Sequence, residues 1–145
     1  MAAREISAAC PRDGTALFQK AIEASSEALA RAMSAHAELE DNGETRPDHE
    51  AAREHHSEAA AAHRKMAECH RSQGNYNVCM AHDNAASRHG AAATVHEFAR
   101  GLADSDVGDP SDDGTNTERA GRATSAALAL SRHAHEATLA AGNAN

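Results

Sequence analysis

Histidine recurs every seven residues through the middle of the chain: His49, His56, His63 and His70, then His82, His89 and His96. Seven residues span two turns of α-helix, so each series lies along one helical face; in a strand the same spacing would alternate sides. Cys79, Ala86 and Ala93 stand three residues ahead of the second series. The frame extends to both ends of the sequence. Thr15, Ile22, Leu29 and His36 follow it, with Phe18, Ser25, Ala32 and Leu39 three residues later, and Gly121, Leu128 and His135 carry it toward the C-terminus. A three-then-four alternation is the seam of helices packed side by side. One seam position is small and the other is mostly histidine. Small residues let helices approach, and imidazoles then close the sides of the gap.

The composition points the same way. Of 145 residues, 37 are alanine, only 14 are Leu, Ile, Val or Phe, one is Tyr and none is Trp. A sheet needs β-branched and aromatic side chains that this chain lacks. No stretch approaches the ~20 apolar residues of a membrane span. Residues 1–10 do not have the basic-then-apolar layout of a secretory leader. Few large apolar groups and a net charge of −8 also describe disordered chains. Alanine is the strongest helix former, however, and disorder does not require a strict heptad.

The spacing predicts one all-α domain over residues 1–145, an antiparallel four-helix bundle. Its helices cover about 15–41, 48–72, 76–102 and 116–141. Residues 1–14 form an N-terminal arm, loose or partly helical, and residues 103–115 (ADSDVGDPSDDGT) an acidic loop. Pro11, Pro47 and Pro110 all fall outside these helices, where proline is tolerated. The very short joint Gln73-Gly74-Asn75 makes the second and third helices an antiparallel hairpin.

Catalytic signatures are missing. There is no phosphate-cradling glycine loop and no nucleophile elbow, and so few large side chains cannot line an apolar pocket. The expectation is a protein that is not an enzyme and needs no cofactor. Histidines seven apart are ~10.5 Å apart along a helix, too far to share a metal, and neither His-x-x-x-His nor Glu-x-x-His occurs. One cluster keeps a metal alternative open. Cys69 and His70 end one helix of the hairpin, Cys79 and His82 open the other, and thiolate with imidazole suits Zn or Cu. The alternative for these four is a structural role in the core. Asp109, Ser111, Asp113 and Gly114 match part of a calcium-loop pattern, but Ala120 stands where a bidentate Glu is needed, so the loop reads as a solvated linker.

Twenty-two acidic residues face 14 basic ones, with no basic run interleaved with aromatics. That argues against direct nucleic-acid binding and for a protein partner with a basic surface. The candidate contacts are Glu38, Glu40, Asp41, Glu44, Asp48, Glu50, Glu54 and Glu58, crowded around the first connection. Three cysteines, an odd count, suggest a reducing cytoplasm rather than a disulfide framework. So thin a core also predicts self-association, which would bury more of the seam.

Two resemblances add to this. Gly74-Asn75-Tyr76, followed by Cys79, His82 and Ala86, resembles the central turn of a tetratricopeptide repeat. It occurs once, so it marks a hairpin and not a solenoid. The run AAREHHSEAAAAHRKMAECHRSQGNYNVCMAHDNAASRH, within residues 49–98, is similar to Ala/His-rich helical hairpins of small bacterial and phage proteins, which pair an A-A-x-x-H repeat with a Gly-Asn turn. That resemblance implies a helical fold and a mobile-element origin, and brings no activity with it. The expected function is a non-enzymatic protein-binding bundle, for example a phage or mobile-element accessory that inhibits a basic, nucleic-acid-binding host protein. The competing readings are the Cys/His metal-binding bundle and a purely structural oligomer.

Overall fold

The computed structural model describes the backbone of residues 2–41, 43–104 and 115–144, and the side chains of residues 16–41, 43–102 and 118–144. Four helices account for nearly all of it: α1 (Ala2–Glu40), α2 (Arg46–Ser72), α3 (Tyr76–Asp104) and α4 (Thr115–Asn143). Each helix packs on the next, and α4 returns to α1, which closes a four-helix bundle. No strand occurs among the described residues. No helix among them is long and apolar enough to cross a membrane.

Helices α2, α3 and α4 begin and end within two residues of the expected positions. Helix α1 does not. It reaches back to Ala2 and takes in the segment expected as an arm, with Pro11 inside it. Ala2, Ala3, Ala8 and Ala9 are strong helix formers, and their propensity starts the helix well before Thr15. Pro47 also lies inside a helix, in the first turn of α2, where its missing N–H leaves no bond unmade. The calcium-loop residues Asp109, Ser111, Asp113 and Gly114, with Pro110, lie outside the described residues.

The α2–α3 joint is a Schellman turn. The Asn75 N–H donates to the His70 carbonyl (2.9 Å) and the Gly74 N–H to the Arg71 carbonyl (3.1 Å). Gly74 takes φ +78°, a conformation open to glycine and strained for other residues. This turn sets the register of the whole hairpin, because every later α2–α3 pair is equidistant from it. At the first joint, Asp48 ties α2 to α1 by accepting hydrogen bonds from Ser34 (3.0 Å) and Arg31 (3.3 Å).

The core is built of heptads of small residues. Helix α1 buries Ala21, Ala28 and Ala35 completely, α3 buries Ala85, Ala92 and Ala99, and α4 buries Ala127, Ala134 and Ala141. Ser25 and Ala32 of α1 are buried as the spacing predicted, whereas Ile22, Leu29 and His36 are only half-buried. The inward face of α1 is therefore one position away from the expected line. Larger apolar residues gather at the turn end, where Leu17 and Phe18 pack against Ala21, Ala62 and Met66. A methyl group at Gly142 would overlap the Phe18 ring, so the glycine makes room for it.

Candidate functional site

Three pairs of histidines fill the space that alanine leaves. Nδ1 of His49 lies 2.9 Å from Nδ1 of His96, His56 pairs with His89 at 2.8 Å, and His63 pairs with His82 at 2.9 Å. All six side chains are buried to within 1%. Each pair joins α2 to α3, and successive pairs stack: His56 on His96 with ring centroids 5.5 Å apart, His63 on His89 at 5.7 Å. The imidazoles thus form a three-rung ladder inside the hairpin.

Helix α4 supplies the remaining partners through a heptad of hydroxyls, Thr124, Ser131 and Thr138, all buried. Thr124 Oγ1 lies 3.2 Å from His49 Nε2. Ser131 Oγ lies between His56 Nε2 (2.8 Å) and His96 Nε2 (3.1 Å). Thr138 Oγ1 lies between His63 Nε2 (2.9 Å) and His89 Nε2 (2.7 Å). A neutral imidazole has one donor and one acceptor nitrogen, and a hydroxyl can do both, so every one of these contacts is satisfiable without charge. The one nitrogen of the ladder left over is His82 Nε2, buried and without a hydrogen-bond partner.

Burial keeps the ladder neutral. Loss of hydration lowers the pKa of His56 to about 2, those of His63 and His96 to about 3, and those of His49, His82 and His89 to about 4. Neighbouring imidazoles push in the same direction at His56, His63, His82, His89 and His96. Asp48 opposes the shift at His49, and Asp83 opposes it at His82.

The Cys/His cluster is only partly assembled. His70 stacks on His82 (centroids 5.7 Å apart, planes 6° apart), and its Nδ1 also lacks a partner. Cys79 is buried as a free thiol, 3.8 Å from Asp83 Oδ2. Cys69, however, is in a disulfide and offers no thiolate. The expectation of a fully reduced set therefore does not hold at Cys69. Among the described residues no group of three or more His, Cys, Asp or Glu is placed to hold a metal ion.

Of the eight carboxylates around the first connection, Glu38, Glu40, Asp41, Glu44, Glu50, Glu54 and Glu58 are exposed. Asp48 is not available to a partner, because it is 8% exposed and engaged with Arg31 and Ser34. The feature missed in the sequence is the hydroxyl heptad of α4. Its signal was present: Thr124, Ser131 and Thr138 each stand three residues after Gly121, Leu128 and His135.

No family model, curated protein or solved structure matches this chain.

Proposed function

We propose that the chain is a non-enzymatic helical bundle that binds a protein with a basic surface through the carboxylates at the α1–α2 corner. The observation that carries this reading is the density of outward-facing charge there. Seven exposed carboxylates between residues 38 and 58 share the stretch with only Arg46 and Arg53 as cations. The corner is also a firm platform, since Asp48 pins the start of α2 to α1. An interior occupied by hydrogen-bonded side chains leaves binding to the outside of the bundle.

Retention from a native host extract on immobilised protein tests this. Proteins retained in low salt should elute by about 0.5 M salt, where the Debye length is ~4 Å. They should be lost from a Glu38→Lys, Glu40→Lys, Glu44→Lys variant. A control with the same reversals at Glu97, Glu118 and Glu136 should retain them. Equal retention by both variants would reject the corner as the binding face.

A further inference from the structure

Helix α3 carries an uncharged line on its outer side as well as its inner one. Helices α2 and α4 cover its flanks. Between them, Met80, Asn84, Ser87, Ala91, Thr94 and Phe98 are all exposed and spaced four and three apart, which keeps them on one side of the helix. No charged residue falls on this line. The exposed side of α2, by contrast, holds Glu50, Glu54, Glu58, Arg64, Lys65 and Glu68. Of the five large hydrophobic residues exposed among the described ones, three are on α3: Met80 at 67%, Tyr76 at 62% and Phe98 at 54%. A long uncharged helix face with large apolar residues marks a surface that another protein covers.

The line reads the same from both ends. Met80 and Phe98, Asn84 and Thr94, and Ser87 and Ala91 are all centred on position 89, so large apolar matches large apolar, polar matches polar and small matches small. A two-fold axis at that level lays the face against itself with the helices antiparallel. Met80 then packs on Phe98 at both ends, a thioether against an aromatic ring. Asn84 reaches Thr94, whose hydroxyl donates to the Gly90 carbonyl of its own helix (3.0 Å) and so is left to accept. Ser87 and Ala91 meet at the centre, where short side chains let the backbones approach.

The groove beside the line is matched in charge by the same rotation. Arg64, Glu68, Arg71, Asp83, Ala86 and Ser87 line it. Arg71 and Asp83 are paired with each other at 2.9 Å. Arg64 and Glu68 are exposed and form no ion pair among the described residues. Arg64 stands level with Gly90, its guanidinium 4.0 Å from where a β-carbon would lie there. Glu68, one turn further along α2, is level with Ala86 of the antiparallel α3. Rotation about position 89 carries Glu68 to the level of Ala92, ~3 Å along the axis from Arg64 of the other copy. A parallel pairing would instead set Arg64 on Arg64 and Glu68 on Glu68.

We propose that the outer face of α3 is a homodimer interface, in which two copies of the chain pair antiparallel about the level of His89. From Tyr76 to Phe98 the face is about 33 Å long and, with the groove, ~20 Å wide, so each copy buries roughly 650 Å². That is the lower end of a specific interface, ~600–1,000 Å² per partner, and fits a dimer of micromolar affinity. The face belongs to neither helix of the carboxylate corner, so pairing leaves that corner open.

Sedimentation equilibrium of the full-length protein at pH 7.5, from about 1 µM to about 300 µM, tests the proposal, and a monomer–dimer equilibrium is expected. Ala91→Glu buries two carboxylates near the axis and should weaken the dimer by about 100-fold. Phe98→Lys should weaken it from the ends. Ala129→Glu, exposed on α4, should leave it unchanged. All three changes are at exposed positions, and circular dichroism should show unaltered helicity. Arg64→Glu should weaken the dimer about tenfold, since the two-fold repeats each pair, and adding Glu68→Arg to it should restore the affinity. A chain monomeric to the top of the range would overturn the proposal and leave the face to a different protein. A dimer indifferent to Ala91→Glu and Phe98→Lys would overturn the choice of face. Failure of the charge exchange to restore affinity would overturn the antiparallel arrangement.

Discussion

A single histidine in this core is held by what it touches on two other helices. His56 meets His89 on α3 and Ser131 on α4, and its side chain is fully buried. Removing it leaves a buried imidazole nitrogen on His89 without a partner, the expensive way to lose a hydrogen bond. His56→Leu should therefore destabilise the protein by roughly 2–5 kcal/mol. Replacing both members of the rung is different. In His56→Leu with His89→Leu, Ser131 keeps His96 and Thr138 keeps His63, so no core nitrogen is stranded. The double variant should be more stable than the sum of the two single effects implies, by about 1–2 kcal/mol. Urea unfolding of all four proteins at pH 7.5 measures this, and strictly additive losses would show that the rung is not a unit.

At the scale of helices, the hairpin is the element most legible in sequence. Two histidine heptads and the Gln73-Gly74-Asn75 joint between them are enough to pair His49 with His96, His56 with His89 and His63 with His82. His70 was read as a fourth seam position and is only half-buried, because α2 ends two residues later. The neighbouring helices were harder to read. Ile22 and Leu29 drew the α1 seam because they are large, yet paired imidazoles and a hydroxyl already occupy the interior. The face turned inward is then alanine, and the bigger side chains move to its edges. Thr124, Ser131 and Thr138 were passed over for a related reason: isolated Ser and Thr on a helix usually face solvent. Only the presence of unpaired imidazole nitrogens nearby gives them a buried task. The Gly74 turn can be tested directly. An added Cβ would meet nothing within 4 Å, so Gly74→Ala isolates the strain of φ +78°. It should cost about 1 kcal/mol, lowering Tm by a few degrees in thermal melts without loss of helicity. No change in Tm would mean the turn relaxes at no expense.

For the whole molecule, the burial of six neutral histidines makes stability a function of pH. Unfolded, each has the ordinary histidine value of about 6.5; folded, all six lie at about 4 or below. As pH falls below 6.5 the unfolded chain takes up protons that the folded one cannot, so stability present at neutral pH is lost progressively down to the folded values. Between pH 7 and pH 5 each histidine contributes a loss of about 2 kcal/mol, on the order of 10 kcal/mol together. That is comparable to the entire stability of an ordinary domain, ~5–15 kcal/mol. The bundle should thus come apart cooperatively in mild acid, without any of the six core histidines titrating in the native state near neutrality. Asp48 and Asp83 do not rescue it, because His49 and His82 lie at about 4 even with those carboxylates beside them. Equilibrium urea unfolding from pH 7.5 to pH 5 tests the neutral histidine core most directly. Stability should fall ever more steeply with acid, with a slope near pH 5.5 corresponding to the uptake of about five protons on unfolding. A flat profile, or an uptake of one proton or fewer, would contradict a core of buried neutral histidines.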